Sequence, residues 1–181
     1  MSISRVRGIV VMITGISFLF SCTNNIEVKH IDPALNHVVQ QDDGSIELQV
    51  KKADCYSDKV NPSTNTAEWN VSVKKSGRFN VWITSATTDT TNLEYSNKVL
   101  LNVHDNVLEA TPVINKVVRN SSDVDYPYFR ADSFMGSMYI QDTGLYAVQI
   151  ISDGIIPENE TEDSGSAKTK LVSVSLTPVV R

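Results

Sequence analysis

Cysteine is nearly absent from this chain: two in 181 residues, Cys22 and Cys55. A disulfide framework is therefore excluded as the source of stability. Histidine is also scarce. His30, His37 and His104 are scattered, with no metal-ligand spacing. Glycine-rich phosphate loops, a nucleophile elbow and a cysteine–histidine motif are all missing. Glu94 and Glu109 could be paired as glycosidase acids, but 21 acids offer many such pairs, so the signal is negligible. No basic cluster exists, and the net charge is −5. Phosphate contacts need Lys and Arg, so nucleic acid is not an expected partner. No stretch carries a sustained apolar stripe of helical period, which predicts little helix.

One apolar run stands out. Met1–Arg7 is short and basic, Gly8–Phe20 is uncharged and apolar, and Leu19-Phe20-Ser21-Cys22 follows. The order is that of a secretory signal, and the run is shorter than the ~20 residues a membrane-spanning helix needs. Its ending resembles a bacterial lipobox, which implies lipidation of Cys22 and anchoring in the bacterial cell envelope, at the outer membrane. The expected divisions are 1–21 as lipoprotein signal peptide, 22–41 as tether and N-terminal segment, and 42–181 as one β domain. Removing the signal takes away Arg5 and Arg7 and no acids, so the remainder carries −7. With Cys22 lipidated, Cys55 has no internal partner; it is read either as a nucleophile or as a small buried residue at a strand end.

Past residue 41 the pattern has period two. Ile46, Leu48 and Val50 alternate with polar residues; so do Trp69, Val71 and Val73, and Phe79, Val81 and Ile83. The last two runs, joined at Ser76-Gly77, read as a hairpin. Met135–Ile140 and Leu145–Ile151, joined at Asp142-Thr143-Gly144, read as a second. Strands are further expected over 99–103, 107–110, 113–118 and 171–176, the first two joined at Asp105-Asn106. Residues 61–66, 87–97 and 157–168 read as loops. The two hairpins echo each other as Gly-x-aromatic-x-Val-x-Ile, with Gly77 and Gly144 set 67 residues apart. That is too far for a solenoid repeat and fits an all-β jelly-roll sandwich.

Several segments, taken in order, resemble the galactose-binding-like β-sandwich of family 6 and family 35 carbohydrate-binding modules. They are Ser45-Ile46-Glu47-Leu48-Gln49, then Ala67–Val73 with Lys75-Ser76-Gly77-Arg78-Phe79, then Phe134–Ile140 with Gly144-Leu145-Tyr146, and finally Leu171–Pro178. The resemblance implies a non-catalytic module that binds carbohydrate through loop aromatics and captures glycan for a separate enzyme or transporter. It places an aromatic wall in Asp125-Tyr126-Pro127-Tyr128-Phe129, with Arg130 and Asp132 beside it, and an opposing wall at Tyr56. Asn159 and Asp163 would add polar contacts. Pyranose C–H faces stack on rings while hydroxyls need fixed polar partners. These rings could equally plug the end of the sandwich. Trp82 faces away from the Phe79–Ile83 core side; it is either a glycan platform or covered by Ile26–Val39, while Trp69 belongs to the core. The structural calcium of the family would fall to Glu47, but Gln49 replaces a second acid and Val172–Thr177 has none, so no cofactor is expected. The alternative function is a protein-docking component of an outer-membrane complex built on the same sandwich. A small hydrolase or lyase is the least supported reading.

Overall fold

The structure is a computed structural model that describes residues 26–156 and 168–179. Its alternating segments form twelve strands in two sheets. The larger sheet contains β1 (Ile26–Lys29), β2 (His37–Val39), β4 (Asp54–Asp58), β5 (Thr66–Val73), β7 (Val99–Val103), β8 (Asn106–Ala110) and β11 (Gly144–Ile151), in the order β1-β4-β5-β11-β7-β8. Strand β2 runs parallel to β5 and pairs with the half that β4 leaves uncovered. The smaller sheet contains β3 (Ile46–Gln49), β6 (Gly77–Thr87), β9 (Lys116–Val118), β10 (Phe129–Ile140) and β12 (Thr169–Pro178), in the order β3-β12-β6-β10-β9. The architecture is an all-β sandwich. The one α-helix among the described residues is the single turn Pro33–Asn36.

Alternation explains the core. Trp69, Val71, Leu101 and Ile150 point inward from the larger sheet, and Leu48, Phe79, Val81, Ile83 and Val174 point inward from the smaller; all are at most 1% exposed. Each such burial contributes about 1.5–3 kcal/mol before entropy is counted. Trp69 sits in the core as expected, and its indole Nε1 donates to the carbonyl of Gln49 at 3.0 Å, tying one sheet to the other.

The two expected hairpins do not form. Strands β5 and β6 lie in different sheets, as do β10 and β11. The three-residue links Lys74–Ser76 and Gln141–Thr143 carry the chain from one sheet to the other. A hairpin and a corner share the same sequence signature, since both join two alternating runs whose apolar sides face one core. The two corners are reciprocal. Gly77 pairs with Ile140, the last residue of β10, while Gly144 pairs with Val73, the last residue of β5. Their φ values are +150° and +153°, a conformation that side chains other than glycine's rarely allow. A true hairpin does join β7 and β8, with Val103 opposite Asn106, so its turn is His104-Asp105, one residue earlier than expected. Of the strand expected over 113–118, only Lys116–Val118 is extended in a ladder.

The segment set apart as tether and N-terminal segment contributes β1 and β2 to the larger sheet. Gln40 follows β2 and is 1% exposed. Its Oε1 accepts from the backbone N–H groups of Lys74 and Lys75 at 2.8 and 2.7 Å, and its Nε2 donates to the carbonyls of Gly44 and Lys75 at 2.7 and 3.2 Å. One amide thus braces the first corner.

Candidate functional site

Both corners lie at one end of the sandwich, so the connections 59–65, 88–98 and 119–128, and the described residues 152–156 after β11, gather toward the other. The outer face of the smaller sheet runs between these ends. Its register sets Glu47, Ser175, Trp82 and Phe134 in one row across β3, β12, β6 and β10. A neighbouring row brings Gln49, Ser173, Thr84 and Asp132 together, and a third brings Lys170, Ala86 and Arg130. Bulges after Phe134 and at Val172 shift the ladder locally.

Trp82 is half-buried and packs against Phe134, ring centroids 5.1 Å apart at 50°. Phe134 is 41% exposed. The segment expected as a cover for Trp82 pairs instead into the larger sheet, so it does not cover this face. Beside the rings, Arg130 Nε donates to Asp132 Oδ1 at 2.7 Å and Arg130 Nη1 pairs with Asp123. Thr84 Oγ1 donates to the same Asp132 oxygen at 3.0 Å. The hydrogen bond with Asp132, with help from Asp123, raises the Arg130 pKa further. A fixed polar rail therefore runs alongside a partly exposed aromatic pair.

The structure brings Trp82 and Asp132 onto one face. Tyr128 lies near its loop end, where Lys170 Nζ sits 4.7 Å from the ring centroid. Tyr126, in the same loop, is 97% exposed. Phe129 opens β10 and is half-buried. Tyr56 is elsewhere. Its neighbour Cys55 pairs with buried Ala67, so the period of two turns Tyr56 to the outer face of the larger sheet. There it meets His30 edge-on at 6.1 Å. Burial, then Glu68 and Asp54, raises its pKa. Tyr56 is therefore not an opposing wall to Tyr126 and Tyr128. Cys22, Asn159 and Asp163 lie outside the described residues.

A cleft of about 760 Å³ adjoins this face. Val28, Val50, Ala53, Cys55, Leu171 and Val172 supply its apolar lining; Glu47, Asp123 and Arg130 lie on the side of the smaller sheet. Cys55 lies on β4 with Sγ 3.8 Å from the Ala53 carbonyl oxygen. Glu47 is exposed within the cleft, yet burial raises its pKa; a hydrogen bond from Ser173 and the charge of Arg130 work the other way. Among the described residues no group of three or more His, Cys, Asp or Glu side chains is placed to hold a metal ion. The guanidinium beside Glu47 and the missing acids on β12 do not fit a calcium ion, which takes six to eight oxygens.

The sequence reading missed Phe134 as a site residue and gave Glu47 only a metal role. Each joins Trp82 through cross-strand register, which no local pattern reports. The signal that was present is the polar–aromatic alternation Arg130, Asp132, Phe134 on one side of β10.

No family model matches the chain, and no curated protein matches it. Solved structures do. An α-L-fucosidase from Vibrio sp. strain EJY3 aligns over 79% of this chain and 24% of its own, with 18% identity and a TM-score of 0.60. A GH26-CBM35 β-(1,4)-mannanase from Podospora anserina aligns over 77% of this chain and 28% of its own, with 10% identity and a TM-score of 0.43. The insecticidal crystal protein Cry2Aa aligns over 77% and 22%, with 11% identity and a TM-score of 0.46. The chain thus spans about a quarter of the length of each. The first likeness shows a shared sandwich fold.

Proposed function

We propose that this protein is a non-catalytic envelope lipoprotein that binds carbohydrate, with the outer face of the smaller sheet as its platform. The observation that carries the reading is the partly exposed Trp82–Phe134 pair beside the braced Arg130–Asp132–Thr84 rail. Apolar sugar faces stack on such rings, and preorganised polar groups meet hydroxyls at little ordering cost. The sandwich shared with part of a fucosidase supports the same reading. Lipid on Cys22 would hold the platform at the membrane surface, stably so with more than one acyl chain. Bound glycan would pass to a separate enzyme or transporter.

A glycan panel titrated into the purified full chain tests this. Trp69 is 0% exposed and Trp82 is not, so a ligand on this face changes the fluorescence of Trp82 alone. We expect saturable binding to at least one glycan, weakened about tenfold or more by Asp132→Ala or Phe134→Ala, in keeping with about 1.4 kcal/mol per decade. Tyr56→Ala, on the other sheet, should leave the affinity unchanged. A flat response across the panel, together with a stoichiometric protein partner insensitive to sugars, would replace this reading with protein docking.

A further inference from the structure

Strand β1 begins at a defined end of the sandwich. Ile26, its first residue, pairs with Asp58, the last residue of β4, and Tyr56 of β4 pairs with Thr66, the first residue of β5. Val73, at the other end of β5, pairs with Gly144 at a corner. Ile26 therefore stands at the loop end, about 30 Å along the strands from the corners. Cys22 precedes Ile26 by four residues, and four residues in any conformation reach at most about 14 Å. A lipid on Cys22 thus brings the loop end to the membrane and keeps the corners away from it.

The same end carries apolar side chains that face water. Val60, two residues past Asp58, is 74% exposed and Tyr126 is 97% exposed; among the described residues these are the two most exposed large apolar side chains. Ile26 is exposed beside them. Val60 and Tyr126 belong to the connections 59–65 and 119–128. Strand β1 and the second connection border one cleft, through Glu27 and Val28 on one side and Ser122 and Asp123 on the other, so the start of β1 and the tyrosine loop are neighbours. In water such residues are a liability. Among lipid headgroups a tyrosine has both its apolar ring and its hydroxyl accommodated. Leu145 and Tyr139 are exposed too, but they lie beside the corners, beyond the reach of the tether. Lys59, Lys98 and Lys168, near the loop end, are paired with Glu27, Glu109 and Glu94. Contact here rests on seating apolar side chains rather than on attraction to anionic lipid.

We propose that the loop end is a membrane-contacting surface, with Tyr126 and Val60 seated among the headgroups of a zwitterionic lipid surface. This rests on the lipid-anchor part of the reading above and adds to it an orientation and the residues that set it. Strands β6 and β10 then rise away from the membrane. The Trp82–Phe134 platform, midway along them, faces sideways and stands clear of the lipid.

The test uses the full chain expressed in bacteria, purified from their membranes and reconstituted into phosphatidylcholine vesicles whose acyl chains are either plain or brominated. Mass spectrometry first establishes whether Cys22 is acylated. Tyr126→Trp, Val60→Trp and Tyr139→Trp each add one indole at an exposed position, and far-UV circular dichroism checks that each variant is folded. The emission of the added indole is taken as the difference from wild type. At positions 126 and 60 it should shift to the blue, and brominated lipid should quench it at least about twofold more than at position 139 near the corners. No quenching at position 126, or quenching at 139 equal to that at 126, overturns the proposal; with Cys22 acylated, it leaves the lipid anchor standing and removes only the orientation. A Cys22 that carries no acyl chain would remove both.

Discussion

Gln40 uses both ends of its amide on backbone, two acceptor and two donor contacts, while almost wholly out of water. Truncation strands partners that have no substitute nearby, and a stranded buried group costs more than a bond is worth. Gln40→Ala should lower stability by about 1–3 kcal/mol, read from the urea midpoint. Glu47 works in the opposite direction. Burial raises its folded-state pKa, so folding is favoured with Glu47 protonated. That contribution is complete below the ordinary carboxylate value and disappears as pH rises through the raised one. Glu47→Gln should therefore melt with the wild type at pH 3 and above it at pH 7, in thermal scans at the two pH values.

Among the elements, the two corners are the most informative. A Cβ added at Gly77 or Gly144 would meet nothing within 4 Å, so neither glycine is there to make room. What each supplies is a backbone conformation at the sheet-to-sheet step. Gly77→Ala and Gly144→Ala should each cost about 1–3 kcal/mol, and by similar amounts, in denaturant melts. The echo between these segments was legible in the sequence, and so was the inward face of nearly every long strand, because alternation is a local property. Pairing was not. The runs that read as hairpins are corners, and β1, β2 and β4 carry no clean alternation that would announce them; their burial patterns run mostly exposed or half-buried. The site was legible to the same degree. Trp82 could be named from its strand phase, and Asp132 from its place beside the aromatic loop that the resemblance points to. Their meeting, and the arrival of Phe134 and Glu47 in the same row, depends on register between strands far apart in sequence.

At the scale of the whole molecule, four central strands close on themselves. The chain joins β5 to β6, hydrogen bonds join β6 to β10, the chain joins β10 to β11, and hydrogen bonds join β11 back to β5. Covalent and hydrogen-bonded links alternate around the core like the staves and ties of a hoop. Sheets bound in this way cannot part at the corner end without breaking a ladder. Local opening has its lowest cost where the hoop does not reach, at the outer strands β1, β3, β8 and β9. Two of them, β1 and β3, border the cleft, together with β4 and β12. The margin of the cleft is thus built from strands outside the hoop, while Trp82 and Phe134 stand on β6 and β10, two of its members.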